Sequence, residues 1–213
     1  MNTLSKIVFV LILVFPLWKC NRGFNSVEEM YTWMGDPANG MIVTKLSGDK
    51  ELTMKFLPPG YLAYKEVKET LGKSKEQIDS LRMLYKKSRS FLLTIKYKND
   101  EPYDPVYEGI YSYEELDRRK KDMHFSFDEY VKLISSDGGE YKPVLSHMEE
   151  TYGLQKMRNI HLVFSPENEK QADILGAEEL DIVFDDRIFK TGITHFVFEK
   201  RNIDKKIKLN FLQ

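Results

Sequence analysis

Residues 91–97, Phe-Leu-Leu-Thr-Ile-Lys-Tyr, put Phe91, Leu93, Ile95 and Tyr97 on one face and Thr94 and Lys96 on the other. A period of two fits an extended strand with one face in a core, and related patterns recur along the chain. Residues 41–57 form two alternating runs around Ser47-Gly48-Asp49, a hairpin pattern, and Pro58-Pro59-Gly60 ends it. Phe127–Ser135 and Tyr141–Glu149 flank Ser136-Asp137-Gly138-Gly139, where Asp-Gly is a strong hairpin signal. Pro143 assigns the second of these strands to an edge or a bulge. Asn159–Phe164, Leu180–Phe184, Ile193–Lys200 and Ile207–Phe211 add further short strands. Seven to nine strands separated by turn signals predict a mainly β (α+β) chain, an antiparallel immunoglobulin-like β-sandwich with short helical insertions. The 13% aromatic content, with 12 Tyr and 13 Phe, agrees, because aromatic rings suit a half-buried pleated surface.

Three segments break the β pattern. Asn25 or Ser26 can cap a helix over Val27–Met34, with Glu28 and Glu29 in its first turn. Residues 74–88 carry Ser74 and Gln77 at capping-box spacing, and Ile78, Leu81, Leu84 and Tyr85 at helical spacing. That pattern fits a helix packed on its own domain, with a partner-binding helix as the alternative. Residues 112–123 repeat the capping box with Ser112 and Glu115.

The N-terminus raises a different question. Ile7 to Trp18 form an apolar run of twelve behind Lys6, too short for a spanning helix of roughly 20 residues but right for the apolar region of a secretory signal. No small residue precedes a cleavage point, yet the run is followed by Lys19 and then by the chain's one cysteine, Cys20. Leu17 lies three residues before it. This segment resembles a bacterial lipoprotein signal of the looser kind found in Bacteroidota, with Trp18 and Lys19 where the family prefers small residues. The resemblance implies cleavage before Cys20, acylation of its thiol (palmitate among the chains), and a lipid-anchored protein. An uncleaved signal anchor is the alternative. A lone cysteine in an exported chain cannot form an internal disulfide, and two or more acyl chains give durable attachment to a bilayer. The expected organisation is a signal over 1–19, a tether and short helix over 20–40, and one β-rich domain over 41–213. Residues 141–198 are similar in spacing to other small bacterial lipoproteins built on such sandwiches: Tyr141-x-Pro143, Ser165-Pro166, Phe184-Asp185-Asp186, and Gly192 four residues before Phe196-x-Phe198.

Charge and motifs narrow the function. The chain has 32 basic and 33 acidic residues; loss of residues 1–19 removes Lys6 and Lys19 and no acid. Without a basic block, nucleic acid is not the expected partner. His124, His147, His161 and His195 form no His-Glu-x-x-His or Cys/His pattern. His161 and His195 both fall in expected strands and meet on one face if those strands pair. Neither Gly-x-Ser-x-Gly nor a phosphate-cradling glycine loop occurs. Asp185 and Asp186, as strand neighbours, point to opposite faces; in a turn they make local hydrogen bonds or, with Asp181, an oxygen cage for calcium. No metal and no cofactor is expected, and the reading leans away from an enzyme.

The richest binding feature is the loop carrying Tyr103, Tyr107, Tyr111 and Tyr113, together with Pro102 and Pro105. Tyrosine supplies large contact area at low entropic cost together with a polar hydroxyl. The bland account of this loop is aromatic burial against its own domain. The functional expectation is a membrane-anchored, noncatalytic accessory lipoprotein that contacts a cell-envelope protein assembly of secretion, motility or transport type. The alternative is a glycan or small-ligand binding module using the tyrosines. Asn21-Arg22-Gly23 holds no acidic run resembling a surface-export tag, so the anchor is expected in the outer membrane, facing the periplasm.

Overall fold

A computed structural model describes residues 23–69, 75–99, 103–151, 156–166, 173–205 and 208–209. Cys20, the apolar run before it and the Ser74 cap lie outside the described residues. Two mainly antiparallel sheets with a few helices give an α+β fold. The five-stranded sheet holds β2 (Ile42–Ser47), β3 (Lys50–Leu57), β4 (Arg89–Tyr97), β8 (Met157–Phe164) and β7 (Leu145–Met148), in the order β2-β3-β4-β8-β7. The four-stranded sheet holds β10 (Gly192–Glu199), β9 (Glu179–Asp186), β5 (Val131–Ser135) and β6 (Glu140–Tyr141), in the order β10-β9-β5-β6. A two-residue parallel pair joins β1 (Gly23–Phe24) to β11 (Lys208–Leu209); the other residues of the strand expected over 207–211 lie outside the described ones.

The alternation in the sequence becomes burial. Phe91, Leu93 and Ile95 of β4 are buried, as are Leu52, Met54 and Phe56 of β3 and Ile160, Leu162 and Phe164 of β8. The four-stranded sheet contributes Leu133, Ile182, Phe184, Phe196 and Phe198 to the same core. Phe91 sits where the sheets meet: its ring centroid is 5.4 Å from Phe56, 6.1 Å from Phe164 and 5.1 Å from Phe198 of the other sheet. Phe24, Met30 and Met34 are buried in this core as well, so the short helix α1 (Val27–Gly35) is packed rather than free. Its cap is Ser26, whose Oγ accepts from Glu29 N at 3.1 Å.

Several expectations need correction. Pro58-Pro59-Gly60 does not simply end a hairpin. Pro59 opens a helix, α2 (Pro59–Glu69), because proline lacks the N–H that the first helical turn leaves unpaired and already holds a helical φ. The helix expected over 74–88 is α3 (Lys75–Tyr85), but Leu84 points outward with Met83, and Ile78, Leu81 and Tyr85 are only half-buried. Phe127–Glu129 form a short 3-10 turn before β5. The segment Tyr141–Glu149 divides: β6 pairs with β5, whereas β7 pairs with β8 in the other sheet, and Pro143 lies at the crossing. β7 is an edge strand there, consistent with a proline that donates nothing to a ladder. Two single-turn helices, α5 (Asp173–Gly176) and α6 (Lys200–Ile203), have no counterpart among the expected elements, and β10 ends at Glu199 rather than Lys200. The helix expected over 112–123 is α4 (Tyr113–Phe125), capped by Ser112, whose Oγ accepts from Glu115 N at 3.2 Å.

Candidate functional site

The tyrosine loop between β4 and α4 is held to the sheet by its charged residues and displays its rings. Asp104 begins a short 3-10 turn, Pro105–Tyr107, and its Oδ1 accepts from Val106 N at 3.0 Å. The same carboxylate receives both faces of the Arg158 guanidinium fork: Nε donates to Oδ1 at 2.9 Å, and Nη2 donates to Oδ2. Arg158 occupies the first inward position of β8, ahead of Ile160, Leu162 and Phe164, and both partners are buried. A charge at such a position is tolerable only when paired and hydrogen-bonded, and a planar fork on a carboxylate is the strongest arrangement available.

A second anchor lies four residues on. Lys50 of β3, also buried, reaches Glu108 Oε2 at 2.6 Å and Asp49 Oδ1 at 3.0 Å, with its ammonium 5.2 Å from the Tyr97 ring centroid. Burial opposes the charged ammonium, but the hydrogen bonds to Glu108 and Asp49 outweigh it, and the lysine titrates above its ordinary value. Desolvation and the nearby Glu108 carboxylate push the Tyr97 phenol up. From the α4 side, Arg119 donates to the carbonyls of Val106 at 3.1 Å and Glu108 at 2.6 Å. Val106 fills the core below. Glu115 Oε2 accepts from Tyr111 N at 2.9 Å, fixing the end of the loop.

The rings themselves face outward. Tyr103, Tyr107, Tyr111 and Tyr113 are 68%, 48%, 92% and 78% exposed. Aromatic burial against the domain is therefore not what secures this loop; Val106 and the ion pairs of Asp104 and Glu108 do. The sequence located the tyrosines but not their anchors. Asp104 and Arg158 lie 54 residues apart, and no local pattern joins them.

Beside the loop, Gly109 and Ile110 border a polar cleft of about 280 Å³ that reaches α4 and the turn from β9 to β10. A separate apolar feature covers the outer side of α3, where Met83 and Leu84 are exposed; an open depression of about 470 Å³ borders both, and one of about 570 Å³ borders Leu84 and Leu81.

The remaining candidates are separated. His161 and His195 stand in different sheets and do not meet. His161 Nε2 lies 2.7 Å from Glu149 Oε1 and faces His147 across the β7–β8 ladder, while His195 Nδ1 lies 2.7 Å from Asp181 Oδ2. Burial raises the Glu149 carboxyl, but hydrogen bonds from His161 and Asn159 more than offset it and hold the group below its ordinary range. Asp186 is a structural cap: its carboxylate accepts from the backbone N–H groups of Ile188, Phe189 and Thr191 at 3.0, 2.8 and 3.0 Å. Asp185 turns the other way, onto Arg187. Among the described residues no three His, Cys, Asp or Glu side chains gather closely enough to hold a metal ion, and no helix is long and apolar enough to cross a membrane.

No protein-family model matches this chain, and neither does any curated protein. Among solved structures, a novel protein of unknown function from Burkholderia pseudomallei K96243 aligns over 84% of this chain and 88% of its own, at 14% identity and a TM-score of 0.39. A likeness that slight carries no argument about activity.

Proposed function

We propose that this chain is a noncatalytic accessory lipoprotein, acylated at Cys20 in the outer membrane, facing the periplasm, that docks on a cell-envelope protein assembly through Tyr103, Tyr107, Tyr111 and Tyr113. The observation that carries this reading is the exposure of all four rings on a loop held by the buried Asp104–Arg158 pair and by Glu108 on the buried Lys50 ammonium. A partner meeting preorganised rings loses little conformational entropy on binding, and tyrosine is enriched at the energetic centres of protein interfaces. Glycan or small-ligand binding, the alternative, calls for tyrosines converging on a concavity. None of the four lines the cleft beside the loop or the depressions over α3. We assign the two sheets to a sandwich of immunoglobulin-like type; the supports are the core they share and the strand spacing of the sequence.

Capture from detergent-solubilised membranes tests the reading, comparing the full chain with Cys20→Ala and Y111S/Y113S. A fixed set of envelope proteins is expected with the unaltered chain, with a soluble Cys20→Ala product that captures fewer, and with loss of that set from Y111S/Y113S. An unaltered set from Y111S/Y113S overturns the docking surface, and a membrane-bound Cys20→Ala overturns the anchor.

A further inference from the structure

The cleft beside the tyrosine loop gathers two segments that are distant in the sequence. Arg118 and Arg119 come from α4; Arg187 and Lys190 come from the β9–β10 turn. Glu115 and Asp122 are the acids on its wall, so four cations face two carboxylates. Two of the cations are committed: Arg119 to the carbonyls of Val106 and Glu108, and Arg187 to Asp185. Glu115 is committed as well, to Tyr111 N. Arg118 and Lys190 have no hydrogen-bond or ion-pair partner among the described residues, and both are exposed.

Lys190 is held there against its backbone preference. It is the one non-glycine residue with positive φ among those described, at 59°, a conformation that L side chains rarely adopt. The Asp186 carboxylate supports it by accepting from the N–H groups on both sides of the turn and from the Thr191 hydroxyl. Such strain persists only where surrounding contacts over-determine it. The result is two exposed cations without partners beside the tyrosine loop, Lys190 on a turn whose backbone is held, with Asp122 the one lining carboxylate that has no partner among the described residues, and with Gly109 and Ile110 as the shared edge.

We infer that the Arg118–Lys190 cleft receives carboxylate side chains from an acidic segment of the protein that docks on the tyrosines. The inference rests on the docking reading above and specifies the chemistry of its partner. Size and exposure favour a protein segment over a free anion. At about 280 Å³ the cleft is at the small end for a ligand pocket, and ion pairs to exposed cations are weak by themselves. Joined to contacts with the exposed rings of the adjoining loop, the same pairs add register and speed of encounter.

The test uses the full chain in detergent micelles and a fluorescent peptide of alternating Glu and Leu, with Gln replacing every Glu in a control peptide. The cleft variant is R118E/K190N, since Asn tolerates positive φ; thermal unfolding confirms that it folds. The Glu peptide is expected to bind at least about tenfold more tightly than the Gln peptide, and R118E/K190N to erase that difference. Equal binding of the two peptides, or an unchanged preference in R118E/K190N, overturns the inference. Inorganic phosphate or citrate binding as tightly as the Glu peptide also overturns it, in favour of a free-anion site. Envelope capture then separates the two claims: retention by R118E/K190N with loss by Y111S/Y113S refutes the acidic partner and leaves the docking surface standing. Loss by R118E/K190N with retention by Y111S/Y113S refutes the tyrosine surface and supports the cleft.

Discussion

The Arg158 guanidinium and the Asp104 carboxylate form a buried, two-point pair that joins the inward face of β8 to the root of the tyrosine loop. It is one of the contacts through which the core of the protein holds its candidate docking surface. Arg158→Met leaves Asp104 buried and uncompensated, and the expected cost is about 3–5 kcal/mol. Urea unfolding measures it. D104N/R158M, with both charges gone, is expected to recover part of that loss, because a neutral amide at position 104 leaves no unpaired charge buried.

Lys50 and Glu108 fasten the same loop to β3, and their pairing sets an alkaline limit. The lysine titrates above its ordinary value of 10.5 when folded. A raised pKa stabilises fully below the unfolded value and is lost as pH rises through the folded one. Stability is therefore expected to fall above pH 10.5, and Lys50→Met to flatten that part of the profile. Thermal unfolding at stepped pH values reads both.

Glu149 sets an acid limit of the opposite sign. Its folded pKa is held below the ordinary value of 4.5, chiefly by His161 and Asn159 acting against burial. A depressed carboxyl contributes above the unfolded pKa, and the contribution disappears as pH falls through the folded one. Glu149→Gln is expected to reduce the acid sensitivity below pH 4.5 relative to the unaltered protein, measured by the same unfolding series.

Phe91 is the side chain on which both sheets meet. Phe91→Ala removes ring contacts to Phe56, Phe164 and Phe198 together, and the expected loss is about 3–5 kcal/mol by urea unfolding. M83S/L84S on the outer side of α3 is the contrast: both residues are exposed, and the expected change is within about 0.5 kcal/mol.

These contrasts show what was legible in the chain. Local chemistry read well: the Phe91–Tyr97 alternation, the Ser26 and Ser112 caps and the Asp137-Gly138 turn each act within a few residues. Pro59 misled because proline both stops strands and starts helices, and only the packing of Tyr61 and Leu62 on the core decides which. The division at Pro143 was unreadable because sheet membership depends on strands far away in sequence. The candidate surface followed the same rule. Its tyrosines are a local cluster and stood out, whereas Arg158, Lys50 and Lys190 reach it from other elements and carry no signal near it. That is also why aromatic burial looked like the ordinary account of the loop: the ion pairs that replace it span 54 and 58 residues.

The docking surface itself has one direct test. A photo-cross-linking amino acid at position 111, in the most exposed ring of the loop, and at Ile193 on the exposed face of β10, samples two surfaces of the same folded chain in intact cells. The account predicts a discrete adduct with another envelope protein from position 111 and none from 193. Absence of an adduct at 111, or the same adducts from both positions, contradicts it.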